Sequence, residues 1–126
     1  MKQIVLEAPG RFTEREVPVP LAAADEALVR IEKVGVCGSD FHAFAGRHPI
    51  YTYPRILGHE LSGVIVEVPV NDKGLQVGDH CAIEPYMGCG NCRACAAGRS
   101  NCCERIQLLG VHVDGGMQEY LGGCRA

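Results

Sequence analysis

Positive charge is scarce in this chain of 126 residues: Lys and Arg number 12 against 15 Asp and Glu, giving a net charge of −3 with no basic cluster. That balance disfavours nucleic acid and anionic membranes as partners. Long apolar runs are missing too, since nothing approaches the ~20 consecutive apolar residues of a membrane span. The opening MKQIVLEAPGR has one lysine and a short apolar run broken by Glu7, too short for the core of a signal peptide. There is no repeat, no linker-like stretch and little helical patterning. Eight cysteines without an export signal point to metal binding in a reducing cytoplasm, not to a disulfide framework. A hydrophobic share of 47% and a charged share of 21% are those of a globular, soluble chain with one real core.

What is present reads as many short strands. Residues 3–7 and 12–17 form a first pair around the Pro9-Gly10 turn. Residues 27–36 alternate, with Val29 and Ile31 facing one way and Arg30 and Glu32 the other. Residues 61–68 are rich in Val and Ile, and Gly63 inside them marks a bulge or a close backbone approach. Asn71-Asp72-Lys73-Gly74 is a polar turn, and residues 80–84 read as a further strand. Residues 108–113 and 117–121 read as a final hairpin joined by Asp114-Gly115-Gly116. Helix is confined to a short turn through Phe44 capped by Ser39 and Asp40, and to residues 93–97. The pattern predicts a mainly β domain, a barrel or a sandwich.

The cysteines fall into a pattern. Cys89, Cys92, Cys95 and Cys103 form a Cys-x2-Cys-x2-Cys-x7-Cys run among Gly88, Gly90 and Gly98. Four thiolates so compressed can close a tetrahedron around zinc, each sulfur about 2.3 Å from the metal. With no position left open, that zinc is structural. Reduced cysteines, disulfides or an iron site of the same geometry are the alternatives. A second group is Cys37, Ser39, Asp40 and His42, followed by His59-Glu60. Cys37, His59 and Glu60 are all acceptable zinc ligands, and three ligands plus water make an open, catalytic site. Asp40 is placed to fix the tautomer of a ligating histidine, and Ser39 and His42 to pass a proton to solvent.

GVCGSDFH, GHE, GD and CGNCxxCxxGxxNCC, in that order, resemble the zinc-dependent medium-chain alcohol and polyol dehydrogenases. GRHPIYTYPRILGHELSG and LLGVHVDGGMQEYL look most like the sorbitol, threonine and sugar-acid branch. The resemblance implies a GroES-like catalytic domain over residues 1–126, a partly open β-barrel with short helices and a zinc lobe at about 85–105. It assigns Cys37 and His59 to catalytic zinc, with Glu60 a ligand or near neighbour, and Ser39 and His42 to a proton relay, with Asp40 behind them. Cys89, Cys92, Cys95 and Cys103 become the ligands of structural zinc. The implied reaction oxidises a secondary alcohol, on a polyol or sugar-derived substrate, by zinc-alkoxide formation and hydride transfer to NAD or NADP. The family's Rossmann domain and a further zinc ligand lie beyond Ala126, and the chain has no Gly-x-Gly-x-x-Gly after a strand. The expectation is a fragment or truncation that is inactive alone. Assembly into a homo-oligomer stays open.

Other residues have plainer readings. Cys81 reads as core, Cys124 as free near a frayed end, and Cys103 rather than Cys102 as the ligand. His80 and His48 read as surface and loop histidines, His112 as a strand residue, and Tyr51, Tyr53 and Phe41 as packing aromatics that could line a pocket. Three rivals stand beside the dehydrogenase reading. They are a non-catalytic zinc-binding scaffold, a co-chaperonin sharing the barrel, and a zinc-free quinone reductase. The ligand set argues against the last two.

Overall fold

The computed structural model describes residues 1–125. Strands β1 (Lys2–Ala8) and β2 (Arg11–Glu16) pair antiparallel around Pro9-Gly10, and β4 (Arg55–Ile56) joins the other edge of β1. The larger sheet runs in the order β6-β5-β3-β9, built from β3 (Glu26–Gly35), β5 (Glu60–Glu67), β6 (His80–Ile83) and β9 (Tyr120–Arg125). A small ladder joins β7 (Tyr86–Met87) to β8 (Gln107–Leu108). Among the described residues there are two short helices, α1 (Gly38–Phe44) and α2 (Arg93–Ala96), and one 3-10 turn at Ser100–Cys102. The fold is mainly β, as the sequence predicts. No helix among the described residues is long and apolar enough to cross a membrane.

Alternation drives the larger sheet: in β5 the buried positions are Leu61, Gly63 and Ile65, every second residue. Gly63 is forced by its neighbour across the sheet. A Cβ there would meet the Val29 side chain at 2.7 Å and run into the Arg30 carbonyl, and the ladder slips one residue opposite it, between Ile31 and Lys33. Both readings of this glycine, bulge and close approach, therefore hold. One core gathers Leu6, Ala43, Tyr51, Leu57 and Val111 beneath α1. A second gathers Leu61, Leu109 and Leu121 between the larger sheet and the residues leading to the cysteine lobe.

The last hairpin does not form. Residues 108–113 close into a tight turn in which the His112 backbone N–H donates to the Leu108 carbonyl at 2.9 Å, with Gly110 at φ 74°. His112 Nδ1 accepts from the Leu108 backbone N–H at 3.0 Å, and the residue is exposed. Residues 115–117 bond instead to 56–58: Gly115 N–H to the Ile56 carbonyl at 2.7 Å and Met117 N–H to the Leu57 carbonyl at 2.9 Å. Next along, Met117 accepts from Ile4 N–H at 2.8 Å, and Glu119 accepts from Ile31 N–H at 2.9 Å while donating to the Lys2 carbonyl at 3.1 Å. This segment is a seam between the two sheets. The glycines that read as a turn serve a close backbone approach: a Cβ on Gly115 would lie 2.6 Å from both Gly110 Cα and the Leu57 carbonyl oxygen.

Candidate metal centre

Two clusters of ligating side chains stand out among the described residues. The first lies at one end of the β3–β5 pair. The antiparallel register closes with Gly35 opposite Glu60, so the end of β3 and the start of β5 emerge side by side. Cys37 follows β3 and forms the N-cap of α1, and His59 directly precedes β5. One ligand atom from each of Cys37, His59 and Glu60 lies within 4.8 Å of the others. Gly35 makes room for the carboxylate, since a Cβ there would sit 2.5 Å from Glu60 Oε2. His59 is fixed by the backbone before it. Gly58 adopts φ 94°, and Gly110 and Gly115 press against it from the turn and the seam.

Asp40 supports this group from below. It is the third residue of α1, 4% exposed, and its Oδ2 accepts the Cys37 backbone N–H at 2.9 Å. The helix start is thus held by Asp40 reaching back to Cys37; Ser39, expected as a co-cap, lies inside the helix instead. The other oxygen of Asp40 lies 3.8 Å from His59 Nδ1, and both atoms are buried without a hydrogen-bond partner. His59 is only 12% exposed. Closing that gap to a hydrogen bond would fix the Nδ1–H tautomer of His59 and leave Nε2 for a cation. Thiol, imidazole and carboxylate within 4.8 Å of one another, backed by an orphaned buried acid, fit a divalent zinc-type ion with one position open.

A cavity of about 600 Å³ opens on this cluster, and Lys33, Ser62 and Tyr86 share its lining with Cys37, His59 and Glu60. These three neighbours carry no motif and were not legible in the sequence. Ser39 is half-buried and His42 is exposed, three residues apart on α1 and so on one side of it. Tyr51 is buried in the core against Ala43, with His48 edge-on to its ring at 5.0 Å. Its phenol pKa is raised, chiefly by burial; the Ser39 hydroxyl beside it works the other way, and the charge of Asp40 adds to the rise. Tyr53 donates to the Ala43 carbonyl at 2.6 Å, which ties the following loop to α1, and Phe41 points outward.

The second cluster is the cysteine lobe. The sulfurs of Cys89, Cys92, Cys95 and Cys103 all lie within 4.8 Å of one another. A zinc tetrahedron with sulfur at about 2.3 Å requires sulfur–sulfur separations of about 3.8 Å. Helix α2 starts at its N-cap Cys92, and Gly90 and Gly98 take φ 77° and 71° on either side of it. Cys103 Sγ accepts from the backbone N–H groups of Cys89 and Arg105, each at 3.3 Å. The Asn91 backbone N–H is the largest influence that lowers Cys89 to about 6, a thiol prepared to ionise. Cys103 is buried and Cys102 exposed, which distinguishes the vicinal pair as the spacing does. Four sulfurs close the site, and none is left for substrate.

Residues 23–122 match the alcohol dehydrogenase GroES-like domain. A zinc-type alcohol dehydrogenase-like protein of Haemophilus influenzae is 45% identical over 122 residues, covering 96% of this chain and 36% of that protein. L-galactonate-5-dehydrogenase of Escherichia coli is 43% identical over 121 residues, with 96% and 36% covered. Among solved structures, the alcohol dehydrogenase rspB of E. coli CFT073, complexed with NADH, superposes with a TM-score of 0.85 at 40% identity. It covers 96% of this chain and 35% of its own. The chain spans about a third of the length of these relatives.

Proposed function

This chain belongs to the alcohol dehydrogenase GroES-like domain family, and from that membership we propose that it is the metal-binding catalytic part of an NAD- or NADP-dependent alcohol oxidoreductase. The observation that carries the reading is the convergence of Cys37, His59 and Glu60 on an open cavity. A zinc ion held there supplies a Lewis acid that makes an alcohol hydroxyl more acidic. Cys37, His59 and Glu60 hold the ion, and Asp40 keeps His59 in the ligating tautomer. Ser39 takes up the hydroxyl proton and passes it to exposed His42, which releases it to water. The substrate class is a secondary alcohol on a polyol or sugar-derived molecule, in keeping with the galactonate relative.

Residues 1–126 form one GroES-like unit in this reading, with its zinc lobe at about 85–105. The lobe zinc is structural and holds the β7–β8 ladder and α2 together. The hydride acceptor needs a phosphate-cradling βαβ unit, and these 126 residues carry no such fingerprint. The 126-residue chain itself is therefore inactive as a dehydrogenase. The second reading, a zinc-binding scaffold without catalysis, is favoured by the closed geometry of the four-sulfur lobe.

Metal analysis separates the two. The dehydrogenase reading expects two metal sites of unequal strength: one tight zinc in the lobe, lost in Cys95→Ser, and one weaker ion, lost in Cys37→Ser. Three protein ligands on an open cavity hold a cation less firmly than four sulfurs do. A mild chelator should strip the weaker ion first. Loss of both at one rate, or of the lobe zinc first, refutes that order. A single metal indifferent to Cys37→Ser leaves the scaffold.

A further inference from the structure

Among the described residues, Lys33 is the only lysine or arginine lining the cavity on which Cys37, His59 and Glu60 open. It reaches that wall through the slip in the β3–β5 ladder. Ile31, Val34, Leu61 and Ile83 pack on the second core, and strict alternation from Ile31 would turn Lys33 inward with them. The extra residue between Ile31 and Lys33 resets the count. Lys33 now pairs with Ser62, and Ser62 with Ala82, in a row on the outer face of the larger sheet. Glu60 is on this face too, its carboxylate over Gly35, two residues or about 7 Å along β3 from Lys33. No ion pair among the described residues engages Lys33: Glu60 is turned to Cys37 and His59, and Glu32 pairs with Arg30 and His80. The rest of the lining, Leu61, Ala82, Ile83 and Pro85 with the hydroxyls of Ser62 and Tyr86, brings no counter-charge. A divalent ion is neutralised by the Cys37 thiolate and the Glu60 carboxylate, so Lys33 leaves the cavity one positive charge.

We infer that Lys33 is a specificity-determining residue: its ammonium receives a carboxylate of the molecule whose hydroxyl is held at the Cys37–His59–Glu60 group. The site then takes a sugar-derived hydroxy acid in preference to a neutral polyol. The separation of Lys33 from the ligands places the acid group several carbons from the reacting hydroxyl. A carboxylate carries one negative charge and cancels the surplus, whereas a phosphate ester, at about −1.5 to −2, exceeds it. An ammonium is a compact point charge on a flexible stem, able to follow the acid group of a chain that itself bends. The role deepens the dehydrogenase reading and rests on it for the hydroxyl. The contact between carboxylate and Lys33 does not.

Amide NMR of the zinc-loaded 126-residue chain tests this without turnover. The chain is titrated in turn with D-gluconate, D-sorbitol and D-sorbitol 6-phosphate, which share a carbon chain and differ in the end group. Gluconate should shift the Lys33 and Ser62 amides and bind about three- to tenfold tighter than sorbitol, between the worth of an exposed ion pair and that of a charged hydrogen bond. High salt should shrink the preference. Lys33→Gln should level gluconate with sorbitol, and Lys33→Arg should restore the difference. Lys33 is exposed, so both variants should keep the wild-type urea midpoint. Equal binding of gluconate and sorbitol by the wild-type chain, a preference that survives Lys33→Gln, or no shift at Lys33 with gluconate overturns the inference. Tighter binding of the phosphate than of gluconate, lost in Lys33→Gln, overturns the choice of a carboxylate. Cys37→Ser separates the other half. Sugar binding as tight in that variant as in the wild-type chain counts against the dehydrogenase reading, while the Lys33 comparison still decides the contact.

Discussion

The thiols of this chain live in different surroundings, and their chemistry should sort accordingly. Cys102 is exposed beside the lobe, whereas Cys81 and Cys124 line a cavity of about 780 Å³ between β3, β5 and the edge of the lobe at Cys89. Cys81 donates to the Gly63 carbonyl across 3.6 Å, and burial raises its pKa. Cys124, expected near a frayed end, lies in β9 opposite Ala27 and packs on the second core. Burial pushes it up to about 11, with the Cys81 and Glu26 charges adding to the rise. Thiolates are the reactive form, so iodoacetamide at pH 8 should label Cys102 before Cys124 in the zinc-loaded chain. Equal labelling of the two in the zinc-loaded chain contradicts that placement. The raised value also sets a pH dependence. A thiol at about 11 when folded, against 9.0 as its ordinary value, contributes stability that is whole below pH 9. That contribution drains away as pH rises through 11. Cys124→Ala should flatten this alkaline loss in urea melts taken from pH 8.5 to 11.

Elements show where a one-dimensional reading fails. β1, β2, β3 and β5 were legible because alternation and Pro9-Gly10 speak locally, and α2 because the cysteine spacing demands a tight turn. The final hairpin was not. Asp114-Gly115-Gly116 between apolar runs has the composition of a hairpin turn, yet neither glycine takes a positive φ. They are small because Leu57, Gly58 and Leu61 lie against them, a reason visible only once residues 57–61 are in place. Asp114 does its work there too, accepting from Arg55 Nη1 and from the Ile56 backbone N–H, each at 3.1 Å. A graded test follows. Gly74→Ala meets open space at φ 72° and should cost about 1 kcal/mol in backbone strain. Gly115→Ala must push the Gly58 backbone aside and should cost about 3 kcal/mol, as overpacking does. It should also weaken metal binding at Cys37 and His59 while sparing the lobe. Similar urea midpoints for the two variants would mean that the contact yields easily.

For the whole molecule, the two clusters of candidate ligands that the structure gathers were legible as residue types at given spacings, and the resemblance ordered them. The cavity's other walls, Lys33, Ser62 and Tyr86, were not, because they come from three strands with no shared pattern. The support of the Gly58-His59 backbone by Gly110 and Gly115, some fifty residues further along, was equally hidden. At this scale the proposal concerns what the 126 residues can do unaided. Isothermal calorimetry with NAD or NADP should show no binding, and an evident binding heat would refute the view that the acceptor is held elsewhere. Asp40→Asn should lower metal affinity at the Cys37 site by about 10- to 100-fold, the usual effect of losing a carboxylate behind a ligating histidine. The lobe zinc should be untouched.

The seam at residues 115–119 has a consequence for how the chain comes to be folded. Lys2 N–H donates to Glu119 Oε2, and the side chains of Gln3 and Gln118 are joined, across 117 and 115 residues of sequence. Strand β1 thus waits for a partner segment more than a hundred residues further along. Until residue 119 emerges, β1 has only its hairpin partner β2 and the two residues of β4, too little for a lasting sheet. Contacts so distant in sequence also make for slow folding, since a long loop must close before they repay it. The lobe runs on a different clock. Its ligands span residues 89–103 and can capture zinc as soon as that stretch is free. A nascent chain stalled after the lobe and before residue 115 should hold zinc yet leave β1 open to protease.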